Sequence, residues 1–180
     1  MISGSIARRY AKALLSLGLE QRSYEQFGQE LDRLMATVAS SKDLRTVLDS
    51  PVFQLSQRKA VLGEILKRLG VSKTVEHFAQ LVLDHNRFPA MASIAREMRN
   101  LVDEQAGRVR AQVTSAKPLR EPEAQRIQTA LAKKTGKQVI LERKEDASLL
   151  GGIVVQIGDV VYDGSVKNQL SRIKEQLLSE

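Results

Sequence analysis

Apolar residues recur at helical spacing through the first hundred or so positions of the chain and at strand spacing after Gly107. The sets Ile6, Tyr10, Ala13, Leu14, Leu17 and Tyr24, Phe27, Leu31, Leu34, Val38 each follow i, i+3/4, i+7, which is the mark of one buried helical face. Four more follow: Leu44, Val47, Leu48; Val61, Leu62, Ile65, Leu66, Leu69; Val75, Phe78, Val82; and Met91, Ile94, Ala95, Met98, Leu101, Val102. Ser56 and Ser72 are candidate N-caps and Gly70 a candidate C-cap. The residues before Pro51 and Pro89 are pushed out of the right-handed helical region, marking boundaries. Residues 1 to about 106 therefore read as roughly six helices forming a small bundle.

After Gly107 the period becomes two. Val109, Ala111 and Val113 alternate with Arg108, Arg110 and Gln112, predicting a strand, and Val139–Leu141 predicts another. Between them Pro122 suits the start of a helix whose inward face would be Ile127, Ala130 and Leu131, with Lys133 and Lys134 near its end and Gly136 as its cap. Ile153–Ile157 and Val160–Tyr162 form a predicted hairpin about Gly158-Asp159. Ser165 then caps a last helix with Val166, Leu170, Ile173 and Leu177 along one face, packing back on the sheet. The fold class is an all-α N-terminal six-helix bundle, residues 1–106, followed by a small α/β domain, residues 107–180.

Composition narrows the possible functions. Hydrophobic residues make up 42% of the 180 positions, enough for a core. No apolar run approaches the roughly 18 residues of a membrane span, and the first residues lack the apolar segment of a signal peptide. The absence of cysteine excludes disulfides, thiol nucleophiles and thiolate metal sites. The two histidines, His77 and His85, open no H-E-x-x-H zinc box. Neither G-x-x-x-x-G-K-[ST] nor G-x-G-x-x-G occurs. Gly152 and Gly158 are separated by an apolar strand, and Asp159 would repel a phosphate. Glu145-Asp146 reads as a solvated strand end rather than an acid/base pair. No catalytic residue, cofactor or metal site is expected.

Net charge is +7, divided as +3 over residues 1–106 and +4 over 107–180, with acids interleaved throughout. Nucleic-acid modules concentrate basic charge beside stacking aromatics, whereas the C-terminal part has one aromatic, Tyr162. A surface for acidic protein partners is the favoured reading and a nucleic-acid-binding module the alternative. Salt separates the two, because phosphate contacts lose affinity steeply as salt rises and an apolar groove does not.

Three segments carry a resemblance: IARRYAKALLSLG at the start, LDHNRFPAMASIAREM in the middle, and GGIVVQIGDVVYDGSVKNQLSRI near the end. Together they resemble the delta subunit of bacterial F-type ATP synthase, homologous to the mitochondrial oligomycin-sensitivity-conferring protein. The resemblance implies a non-catalytic stator subunit, one copy per complex. Its helical domain would grip the alpha and beta subunits of the catalytic head, and its α/β domain would meet the b subunits of the peripheral stalk. It also implies a place on the cytoplasmic face of the inner membrane, attached through the complex, and no nucleic-acid partner. In the family the first and fifth helices form a groove for an amphipathic N-terminal helix of an alpha subunit. On this chain that groove maps to Tyr10, Ala13, Leu14, Leu17, Phe78, Leu81 and Val82. Consecutive Leu81, Val82 and Leu83 exceed what one buried stripe requires, which leaves two readings open: part of the fifth helix serves a partner, or the helix is central in the bundle.

Overall fold

The computed structural model describes residues 4–158 and 160–170, which divide into two compact units, Met1–Val102 and Asp103–Glu180. The first is helical: α1 (Gly4–Glu20), α2 (Tyr24–Ser40), α3 (Lys42–Asp49), α4 (Leu55–Leu69), α5 (Lys73–Asp84), a 3-10 turn (Phe88–Ala90) and α6 (Met91–Gln105). Of these helices α1 to α5 lie wholly in this unit, and α6 runs past its boundary by residues 103–105. The periodic positions converge on one core that includes Leu14, Phe27, Leu31, Leu34, Leu48, Leu62, Leu66, Val82, Ile94 and Met98, all essentially inaccessible to water. Burying each such side chain contributes about 2 kcal/mol.

Local chemistry sets the helix boundaries. The Ser41 hydroxyl accepts from the Leu44 N–H at 3.3 Å and that of Ser72 from the Val75 N–H at 3.4 Å, capping α3 and α5. Gly70 closes α4 in the left-handed region, φ 60°. Ser50, before Pro51, is extended at the end of α3. Two expectations are corrected. Ser56 lies inside α4, whose N-cap is Gln54, because the Gln57 side chain takes the Gln54 N–H at 3.3 Å and starts the helix sooner. Before Pro89 the chain forms the 3-10 turn, leading straight into α6, rather than an extended break. At Gly18 an added Cβ would lie 2.7 Å from the Tyr24 Cα, so a residue without one lets α1 and α2 close.

Two buried charges tie this unit together. Glu30 of α2 accepts from the Ser72 N–H at 3.0 Å, the Ser72 hydroxyl at 2.6 Å and the Gln26 amide at 2.7 Å. Arg58 of α4 donates to the Leu48 carbonyl at 2.6 Å and 3.2 Å and to the Asn86 side chain at 2.9 Å. Each holds a helix end in the core, where an unpartnered charge would be costly.

The second unit is α/β: β1 (Arg108–Ser115), α7 (Glu121–Thr135), β2 (Gln138–Glu145), β3 (Ile153–Ile157) and β4 (Val160–Asp163), with sheet order β2-β1-β3-β4. β1 and β2 run parallel, joined through α7, with Val109 beside Val139; β3 is antiparallel to β1, with Val113 beside Val155. Ala111, Val113, Val139 and Val155 bury one face with Leu131 of α7. Ala124, Ile127 and Leu131 form the inward stripe of α7, whereas Ala130, expected there, is exposed. The i, i+3, i+7 spacing from Ala124 fits the sheet, and Ala130 falls off that line. Gly136 caps α7 at φ 66°.

β3 and β4 form the expected hairpin, Ile157 opposite Val160, with Gly158 at φ 56°; Asp159 lies outside the described residues. Ser165 caps the helical residues 166–170, its hydroxyl accepting from the Asn168 N–H at 3.2 Å. Ile173 and Leu177 lie outside the described residues.

Candidate partner-binding groove

On α1 the residues Ala7, Ala11, Leu14 and Gly18 are buried, Tyr10 is half-buried, and Ala13 and Leu17 are exposed. On α5 Val75, Phe78, Ala79, Val82 and Leu83 are buried, and Leu81 is exposed. Of the seven residues expected at a groove, Leu14, Phe78 and Val82 therefore belong to the core. Val82 and Leu83 face inward together, because α5 is embedded over a wide arc and only Leu81 of the consecutive three is left outside.

The two helices meet through side chains. The rings of Tyr10 and Phe78 sit edge to face, centroids 6.2 Å apart and planes at 69°. Arg87, just beyond α5, donates to the Tyr10 hydroxyl at 2.9 Å and holds its guanidinium 5.5 Å from the centre of that ring. Toward the other end of α1, the Thr74 hydroxyl donates to the Gln21 side chain at 3.2 Å. The start of α1 thus lies by the end of α5 and its end by the start of α5, so the helices run antiparallel. Ala13 and Leu17 lie one and two turns past Tyr10, and Leu81 one turn past Phe78, so the exposed apolar residues border the line of contact. The structure brings Tyr10 and Phe78 together and leaves Ala13, Leu17 and Leu81 exposed beside that contact. Arg87, Thr74 and Gln21, which the sequence reading did not name, also join the two helices. They are polar residues whose partners are 77 and 53 positions away, so no hydrophobic period marks them.

Little elsewhere offers chemistry. His77 and His85 are both exposed, and among the described residues no three histidine, aspartate or glutamate side chains cluster as metal ligands. Hydrogen bonding from the Ser148 side chain, and then from the Ser148 N–H at 2.9 Å, holds the Asp146 carboxylate below the usual carboxylate range. Arg110 is held above its ordinary value by Asp103 and Glu142, against a desolvation cost that acts the other way. Among the described residues of the second unit the exposed large apolar side chains are Leu150, Val160, Val161, Tyr162, Val166 and Leu170, with the Lys134 ammonium 3.9 Å from the Tyr162 ring centre. All but Leu150, which precedes β3, lie on the outer strand β4 and the helical turn that follows it.

A family model described as ATP synthase delta (OSCP) subunit matches residues 6–177. A protein named ATP synthase subunit delta from Geobacter metallireducens is 41% identical over 177 residues, 98% of each chain. One of the same name from Anaeromyxobacter sp. (strain Fw109-5) is 44% identical over 98% of this chain and 99% of its own. Among solved structures, a chain of the Toxoplasma gondii mitochondrial ATP synthase hexamer superposes with a TM-score of 0.75 over 96% of this chain and 97% of that one. At 24% identity it supports the fold alone.

Proposed function

Because the chain belongs to the ATP synthase delta (OSCP) subunit family, we propose that its α1–α5 groove receives an amphipathic N-terminal helix of an alpha subunit, while the second unit holds the b subunits. The chain is a non-catalytic stator subunit of F-type ATP synthase, a component of the peripheral stalk. Its task is mechanical. Rotation of the central shaft exerts torque on the catalytic head, and ATP synthesis requires that the head not turn with it.

The observation that carries the division of labour is the exposed Ala13, Leu17 and Leu81 beside the Tyr10–Phe78 contact. A helix laying an apolar stripe along these three would bury surface that the helical unit itself leaves wet, the helix-in-groove mode of recognition. The six α-helices act as one bundle behind the groove, so force applied there is borne by a packed core rather than by a loop. At the other end, the exposed residues of β4 and the following turn offer the b subunits a separate apolar surface. Two contacts on one chain raise the effective concentration of each, so the clamp outlasts either contact alone.

Among the described residues no helix is long and apolar enough to cross a membrane. In the proposed arrangement one copy per complex sits peripherally at the cytoplasmic face of the bacterial inner membrane, held by alpha, beta and b subunits. Calorimetric titration of the full chain with a synthetic peptide of the alpha-subunit N-terminal helix, and separately with the soluble part of a b subunit, tests the assignment. Saturable binding of both, without competition, is expected; competition between them at one site would overturn it.

A further inference from the structure

Resting on that groove reading, we infer that Arg87 is a positioning residue for partner binding, acting by holding the Tyr10 ring at the wall of the groove. Tyr10 is half-buried, so the ring's orientation depends on what surrounds its exposed edge. Phe78 packs one side. Arg87 holds its polar edge, with a 2.9 Å hydrogen bond to the hydroxyl and a cation 5.5 Å from the ring centre. Arginine suits both contacts at once, because its planar fork can donate while lying near an aromatic ring, which a lysine ammonium does less well.

Arg87 is itself held from below. Its N–H donates to the Val82 carbonyl at 2.9 Å, closing the end of α5. The preceding Asn86 takes a left-handed backbone, φ 53°, and its side chain accepts from buried Arg58 at 2.9 Å. Arg58 also grips the Leu48 carbonyl at the end of α3. A continuous chain of contacts therefore runs from α3 through Arg58, Asn86 and Arg87 to Tyr10. It sets the groove wall before any partner arrives, and a preorganised wall costs less ordering on binding.

The guanidinium of Arg87 is not needed to hold α1 or α5 in place. Ala7, Ala11 and Leu14 anchor one helix and Val75, Phe78, Ala79, Val82 and Leu83 the other in the shared core. Losing the guanidinium should free the ring and leave the fold.

The test is a double-mutant cycle on the full chain, titrated with the alpha-subunit peptide. Arg87→Met should weaken binding about tenfold, the cost of ordering a ring left free in the unbound chain, while the chain stays fully folded at the temperature of the titration. Arg87→Lys should recover part of the loss, and Tyr10→Phe, which keeps the ring and drops the hydroxyl, should fall between. In a Tyr10→Ala background Arg87→Met should add less than about a twofold effect, since the contact it breaks is already gone. Ring resonances of Tyr10 in the free chain should move in Arg87→Met while those of Tyr24 and Tyr162 stay. Equal affinity of Arg87→Met and wild type, or an undiminished loss in the Tyr10→Ala background, overturns the positioning role and leaves the groove standing. Unfolding of Arg87→Met would make the residue structural and overturn it too. A wild-type chain that ignores the peptide sinks the groove reading instead.

Discussion

Gly152 passes so close to the backbone of Gly164 that a Cβ on Gly152 would lie 2.3 Å from the Gly164 carbonyl oxygen. Its φ of 81° is also one that side-chain-bearing residues avoid. Around this crossing the Gly164 N–H donates to the Ile153 carbonyl at 2.9 Å and the Val166 N–H to the Gly151 carbonyl at 3.0 Å. The glycine pair thus joins the entry of β3 to the start of the helical residues after β4, a structural purpose for a segment that resembles a phosphate loop only in glycine content. Gly152→Ala should destabilise the second unit by about 3 kcal/mol, the range of a forced backbone clash. In urea the transition reported by the Tyr162 ring resonances should move to lower concentration while that of the Tyr10 and Tyr24 resonances, in the first unit, holds; an unmoved transition would refute the crossing.

Glu30 is buried against Ser72 with three hydrogen bonds. Glu30→Ala strips the Ser72 N–H and hydroxyl of their acceptor at the start of α5 and opens a void. The expected cost is about 2–4 kcal/mol, read as a lower thermal midpoint. A shift below about 1 °C would mean that water replaces the carboxylate at no cost, against the expected several degrees.

Ala13 is exposed on α1, so Ala13→Asp should leave the free chain folded and place an unpaired charge in the bound interface. Affinity for the alpha-subunit peptide should fall by about 3 kcal/mol or more, with the circular dichroism of the free protein near wild type. Undiminished affinity would move the partner off this side of α1.

A fragment of residues 1–106 contains every member of the helical core and should be soluble, helical and able to bind the catalytic head. It should not bind b subunits, whose proposed surface on β4 it lacks. Binding the stalk and ignoring the head would reverse the assignment of the two ends.

Without a phosphate-binding loop, the purified chain should neither hydrolyse ATP nor bind it in the micromolar range. Calorimetry on the isolated protein checks both, and a saturable micromolar isotherm would contradict the stator reading of its surface.

Periodicity alone carried a good deal of this fold. Leu31, Leu34 and Val38 are buried where a 3.6-residue repeat puts them, Ala111 and Val113 where a two-residue repeat does, and Gly70, Gly136, Ser72 and Ser165 stand at the ends they mark. These features depend on neighbours within about a turn, which a linear pattern contains. Tertiary packing decided the rest. Leu14 and Leu17 are the same residue one turn apart, yet the first is fully buried and the second 41% exposed, because burial depends on which neighbouring helix covers each side. Ala124 rather than Ala130 faces the sheet for the same reason. Glu30 and Ser72 are 42 positions apart, Arg58 and Asn86 28, Tyr10 and Arg87 77. Polar pairs at such separations leave no period in the chain, since each is defined by the meeting of two elements and not by the order of residues in either.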